Sequence, residues 1–175
     1  MPNQPLVGIV VGSDSDLPVI QETANILEYL GVGYELTIAS AHRSPGRVRE
    51  WVSSLVERGV EVIIAGAGGA AHLPGVIAAE TTLPVIGIPM PTLYFNGQDS
   101  LLSMVQMPSG IPVASMAVGK AGATNAGIFA AQILALKHEE IAKALKKFKN
   151  ELYQGVEKKA AKLEQLGIDK YIETM

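Results

Sequence analysis

The chain has 175 residues, 48% of them apolar, and sets 14 Lys and Arg against 17 Asp and Glu for a formal net charge of -3. That size and apolar share are enough for one buried core, while the charge leaves no broad cationic surface for a nucleic-acid backbone. Gly, Pro, Thr or charged residues interrupt each apolar run before the roughly 20 residues of a membrane-spanning helix, and the absence of cysteine excludes disulfides and thiolate metal sites. Met1-Pro2-Asn3-Gln4-Pro5 has neither the basic nor the apolar region of a signal peptide, so a soluble, cytoplasmic protein is expected. A single domain over 1–175 is expected, with a core over about 6–136 and a helical extension over about 138–168.

Taken in chain order, short β-branched runs alternate with helical patterns: Leu6 to Val11 then Leu17 to Leu30, Tyr34 to Ile38 then Pro45 to Arg58, Val60 to Ala65 then Leu73 to Glu80. This alternation predicts a parallel sheet covered on both faces. Val7-Gly8-Ile9-Val10-Val11 and Val62-Ile63-Ile64-Ala65 are apolar at consecutive positions, as expected of central strands. Asp16 ahead of Leu17-Pro18 and Ser44 ahead of Pro45 are expected to cap helices whose first turn tolerates proline. Pro84 to Ile88 and Ile111 to Ala117 read as two more strands, about five in all, separated by a stretch with turn signals at Asn96-Gly97 and Pro108-Ser109-Gly110. From Ala123 onward the pattern is helical. It is small and apolar from Ala126 to Leu136, then amphipathic and lysine-rich from Ile141 to Leu166. The stripe Ile141, Leu145, Phe148, Leu152, Val156 requires an apolar partner, on its own sheet or on a neighbouring subunit.

Ligands of an open parallel sheet bind beyond the carboxyl ends of its strands. The first loop there, Gly12-Ser13-Asp14-Ser15-Asp16, joins a glycine and two hydroxyls to a helix N-terminus, which suits a phosphate. Its carboxylates would repel phosphate, so at least one must face another group, and ribose hydroxyls are natural donors to an ionised Asp. Ser13 and Asp16 acting only as caps is the competing reading. The second loop, Ser40-Ala41-His42-Arg43-Ser44-Pro45, pairs the donor fork of Arg43, suited to phosphate, with a histidine whose charge changes near working pH. The third, Ala65-Gly66-Ala67-Gly68-Gly69-Ala70-Ala71-His72-Leu73-Pro74-Gly75, lets backbone approach a ligand closely and offers N–H groups to a small anion; tight strand-helix packing is its alternative. His72 either shapes this pocket or satisfies nearby backbone.

His138, among charged residues, reads as solvent-facing. No phosphate-binding Gly-x-x-x-x-Gly-Lys-Ser/Thr exists, because Ala114 holds the first glycine position and Ala121 follows Gly119-Lys120, and Gly-x-Gly-x-x-Gly is missing after the first strand. His42, His72 and His138 are not at metal-ligand spacing. Chemistry without a cofactor or metal is expected.

Together with Asp99-Ser100-Leu101-Leu102-Ser103-Met104-Val105-Gln106-Met107-Pro108 and Gly119-Lys120-Ala121-Gly122-Ala123-Thr124-Asn125-Ala126-Gly127, these three loops closely resemble the class I PurE family of N5-carboxyaminoimidazole ribonucleotide mutases, from about Val7 to about Leu134. The resemblance implies a flavodoxin-like three-layer α/β/α sandwich, a homo-octamer with active sites at subunit contacts, and transfer of a carboxylate from the exocyclic amine of a ribonucleotide to ring carbon C4 without ATP, metal or biotin. It implies that Ser13, Asp16 and Arg43 contact the ribose phosphate and that His42 is the general acid/base. The expected substrate-binding set is Ser13, Ser15, Asp16, Ser40, Arg43, Gly68, Gly69, Ala70, His72 and Leu73. Tyr94 and Phe95 stand where the family usually has smaller residues. Rival readings are a class II carboxylase, against which the intact His72-Leu73-Pro74-Gly75 argues, and a non-catalytic nucleotide-binding module.

Overall fold

A computed structural model describes residues 4–175; Met1, Pro2 and Asn3, the first part of the stretch read for signal-peptide character, lie outside the described residues. The consecutive apolar runs form strands β1 (Val7–Val11), β3 (Val62–Ala67) and β4 (Val85–Pro89), each buried along its whole length. With β2 (Tyr34–Ile38) and β5 (Ala114–Ser115) they make one parallel sheet in the order β2-β1-β3-β4-β5. That is the flavodoxin-like order, with its switch point between β1 and β3.

Helices cover both faces. On one lie α1 (Leu17–Tyr29), α5 (Lys120–Leu134) and the start of α6 (Glu139–Ile172). The small residues of α5 let it approach α1 closely. A Cβ on Gly127 would come within 2.4 Å of Ile26 Cγ2, and the buried Thr23 hydroxyl donates to Ala123 O at 2.8 Å. The other face is covered by α2 (Pro45–Ser54) and α3 (Leu73–Glu80), with Met104 from α4 (Gln98–Val105). Three layers result, as expected. Among the described residues no helix is long and apolar enough to cross a membrane.

Several expectations are corrected. The segment between β4 and β5, where the sequence showed only turn signals, also holds a helix: Asn96 and Gly97 adopt positive φ (51° and 88°) and lead directly into α4. The strand expected over Ile111 to Ala117 shrinks to two residues on the sheet edge, because Pro112 has no N–H to donate and pairing reaches only Ile86 and Gly87. Asp16 and Ser44 precede α1 and α2 but neither side chain caps its helix. Ser13 instead accepts from the Ser15 N–H to cap a single 3-10 turn over Asp14–Asp16, and the Ser44 hydroxyl accepts from the Ser40 N–H at 2.9 Å, closing its own loop. His138 is not simply solvent-facing. Its side chain is 29% exposed, and Nε2 lies 3.1 Å from Glu61 Oε1, which also accepts from Lys137 Nζ at 2.8 Å.

The α6 helix breaks at Gly167 (φ 70°). Ile141 and Leu145 are buried against its own body and Phe148 meets the Tyr29 ring edge-on at 5.9 Å; farther along, Leu152, Val156 and Leu163 are exposed.

Candidate active site

The parallel register brings the carboxyl ends of β1 to β4 to one edge, where a cleft of about 490 Å3 opens. Four strand ends line it: Gly12, Ser13, Ser15 and Asp16 after β1; Ser40 to Arg43 after β2; Ala67, Gly68, Ala70, His72 and Leu73 after β3; Met90, Pro91 and Thr92 after β4. Of the residues expected from the sequence, only Gly69 is outside this lining. Its backbone is left-handed (φ 65°) and its N–H is donated to Ser100 Oγ at 3.0 Å.

Arg43 is tied to both of the first two loops. Its Nη2 donates to Gly12 O at 2.8 Å and its Nε to Ser40 Oγ at 3.4 Å, so the guanidinium bridges the first and second loops. Such a fixed cation beside a helix N-terminus favours a bound anion. The two carboxylates of the first loop line different hollows. Asp16 faces the cleft, whereas Asp14 borders a neighbouring hollow of about 340 Å3 with Ser44. Burial pushes the Asp16 carboxyl above its ordinary range, opposed by the Ser15 hydroxyl and the charge of Arg43 and reinforced by Asp14.

His42 and His72 meet directly, with His42 Nε2 2.8 Å from His72 Nδ1 and the rings nearly perpendicular at 85°. Such a bond needs a proton on one nitrogen and a lone pair on the other, so each ring constrains the tautomer of its neighbour. His72 thus lines the cleft, with its Nδ1 engaged by His42. It sits immediately before α3, whose Leu73 and Pro74 are buried and anchor that end of the loop.

Residues 6–155 match the family described as AIR carboxylase. The chain belongs to the AIR carboxylase family. Relatives include the N5-carboxyaminoimidazole ribonucleotide mutase of Pyrococcus horikoshii, 56% identical over 169 residues that span 97% of this chain and 94% of the relative. The Thermotoga maritima mutase is 55% identical over 168 residues, 96% of this chain and 97% of the relative. A crystal structure of PurE from Treponema denticola superposes with a TM-score of 0.83 at 30% identity, covering 91% of this chain and 98% of that one.

In this AIR carboxylase family member, sequence reasoning overlooked Met90, Pro91 and Thr92. The signal was present: they follow β4 as the other three loops follow their strands, so the strand-end rule selects them too. Thr92 is tied to α4, donating to Asp99 Oδ1 at 2.6 Å and accepting from the Gly97 N–H at 3.1 Å.

Proposed function

We propose that the protein converts N5-carboxyaminoimidazole ribonucleotide to 4-carboxy-5-aminoimidazole ribonucleotide in de novo purine biosynthesis, as an isomerase of the mutase type. The observation that carries this reading is one cleft joining an anchored cation at Arg43, the carboxylate of Asp16, a histidine pair and a tiny-residue loop, in a chain more than half identical to mutases of that name. In this reading Arg43 and Ser13 hold the phosphate, Asp16 accepts from ribose hydroxyls, and the imidazole ring extends towards His42 and His72. Ser15, Ser40, Gly68, Ala70 and Leu73 complete the contacts, and Gly69 acts from behind the wall.

The chemistry needs one proton moved twice. Protonated His42 gives its proton to the carbamate nitrogen, the N–C bond breaks with its electron pair left on nitrogen, and carbon dioxide departs. The aminoimidazole ribonucleotide that remains is a carbon nucleophile. In this reading the tiny-residue loop around Gly68 and Ala70 holds the carbon dioxide; C4 attacks it there, and neutral His42 takes the C4 proton, restoring aromaticity and its own starting state. Neither ATP nor metal enters the balance. Confinement drives recapture, since oriented intramolecular partners reach effective concentrations of roughly 10⁵ M or more.

The 1–175 chain acts in this reading as a single catalytic domain, cytoplasmic and assembled as a homo-octamer. The face of α6 that buries Ile141 and Leu145 continues into exposed Leu152, Val156 and Leu163, a stripe suited to another subunit. The deciding assay offers purified protein either the carbamate nucleotide or aminoimidazole ribonucleotide with bicarbonate. Rapid turnover of the carbamate is expected; turnover of the second mixture alone would instead make the protein a class II carboxylase.

A further inference from the structure

Ser100 lies outside the cleft lining and is fully buried, one of only two buried polar or charged side chains among the described residues. A buried hydroxyl costs stability unless both its proton and its lone pairs are used. Here both are: Ser100 Oγ donates to Met90 O at 2.8 Å and accepts from the Gly69 N–H at 3.0 Å.

Those two partners are not arbitrary. Between β3 and β4 the ladder runs from the Ile63 N–H bonding Pro84 O to the Met90 N–H bonding Ala67 O. A parallel ladder repeats every second residue on each strand, so the Ile63 to Pro84 bond advances to a Gly69 N–H to Met90 O rung as the next after Met90. In place of that direct bond stands the Ser100 hydroxyl, bonded to both ends. It parts the two strands at the point where the cleft begins between them. On either side of this point lie the two walls, Gly68 and Ala70 on one, Met90 to Thr92 on the other. The walls run close at their base, where a Cβ added at Gly68 would sit 3.3 Å from Met90 Cβ. Ser103 adds a second tie from α4, its Oγ lying 3.3 Å from Gly69 O.

We infer that Ser100 is a positioning residue, a hydroxyl wedge that sets the separation of the β3 and β4 ends and with it the width of the cleft beside the tiny-residue loop. It touches no substrate atom. Resting on the mutase reading above, the consequence is that Ser100 governs retention of the one-carbon fragment between its release and its recapture. The nucleotide end of the cleft, built on the loops after β1 and β2, is independent of it. Without the hydroxyl, the Gly69 N–H and Met90 O either zip together and narrow the walls or stay apart unpaired; both alter the carbon dioxide end alone.

The test uses Ser100→Ala and, to keep the buried volume filled if the alanine variant does not fold, Ser100→Cys. Each is incubated with unlabelled carbamate nucleotide in 13C-bicarbonate, and thermal melts check folding. The wild-type protein is expected to return mostly unlabelled product. The variants should incorporate several-fold more label and turn over about 10- to 100-fold more slowly, with KM for the nucleotide within about twofold of wild type. Label incorporation equal to wild type, or a KM change that accounts for the whole defect, would overturn the wedge. If wild-type protein accepts only aminoimidazole ribonucleotide and bicarbonate, the mutase reading fails separately. The wedge then requires a raised KM for carbon dioxide in the same variants, and an unchanged value overturns it.

Discussion

His42 is held by one neighbour, because His72 occupies its Nε2 at 2.8 Å. The acid/base work in the proposed reaction therefore falls either to His42 Nδ1 or to Nε2 after the two rings part. His42→Asn keeps a polar side chain of similar reach without a titratable nitrogen. It should lower kcat by about 10²- to 10⁴-fold, the usual weight of general acid/base catalysis, while nucleotide binding followed by calorimetry remains measurable. Unchanged turnover would remove His42 from the mechanism. Arg43→Ala should act in the opposite way, weakening binding by about 1.5 to 3 kcal/mol, the range for hydrogen bonds to charged groups, and a purely catalytic defect would count against a phosphate anchor. At this scale the sequence displayed the residue types and the loops that line the cleft. It did not display the His42 to His72 bond, since 30 residues separate the partners and only the pairing of both β2 and β3 with β1 brings their loops together. The same long-range placement gives His138 its Glu61 contact.

The loop carrying His42 and Arg43 runs from β2, an edge strand, to α2, and a charged clasp ties those elements together. Glu35 on β2 accepts from Trp51 Nε1 at 2.8 Å in α2, and from Arg58 Nε at 2.8 Å and Nη2 at 2.7 Å just beyond it; Arg58 also reaches Ser54. The Arg58 hydrogen bonds hold the Glu35 carboxyl below its ordinary range, assisted by Trp51 and opposed by burial. A lowered value in the folded state means that the stabilisation is present above the ordinary glutamate range and disappears as pH falls towards the lowered value. Glu35→Gln should therefore cost about 1 kcal/mol at neutral pH, kept small by solvent around the partly exposed Arg58, and the gap should close in acid. Urea unfolding at both pH values checks it, and a gap that widens in acid would reject the clasp. Among the elements, β1 and β3 were legible because unbroken apolar runs report burial on both faces. Helix α4 was not, because its turn residues Asn96 and Gly97 precede only eight helical residues, Gln98–Val105, too few for a clear period.

For the molecule as a whole, the exposed stripe of α6 separates a lone subunit from an assembly. Leu152 and Val156 are 52% and 64% exposed on the same face as buried Leu145, a surface more apolar than a solvated helix requires. Light scattering should give a mass near eight subunits for the proposed octamer, and Leu152→Glu with Val156→Glu should shift it to smaller species. A monomeric wild-type mass would refute the assembly. The sequence by itself determined the parallel sheet, the three glycine- and serine-bearing loops at its carboxyl edge and the family they resemble, because strand burial and turn chemistry are written in neighbouring residues. Only the tertiary structure decided that four strand ends share one cleft, that two histidines share a hydrogen bond, and that the Ser100 hydroxyl stands in the place of a ladder rung. Each of these depends on the β2-β1-β3-β4-β5 order, which sets residues far apart in the chain within hydrogen-bonding distance and leaves no periodic trace in the sequence.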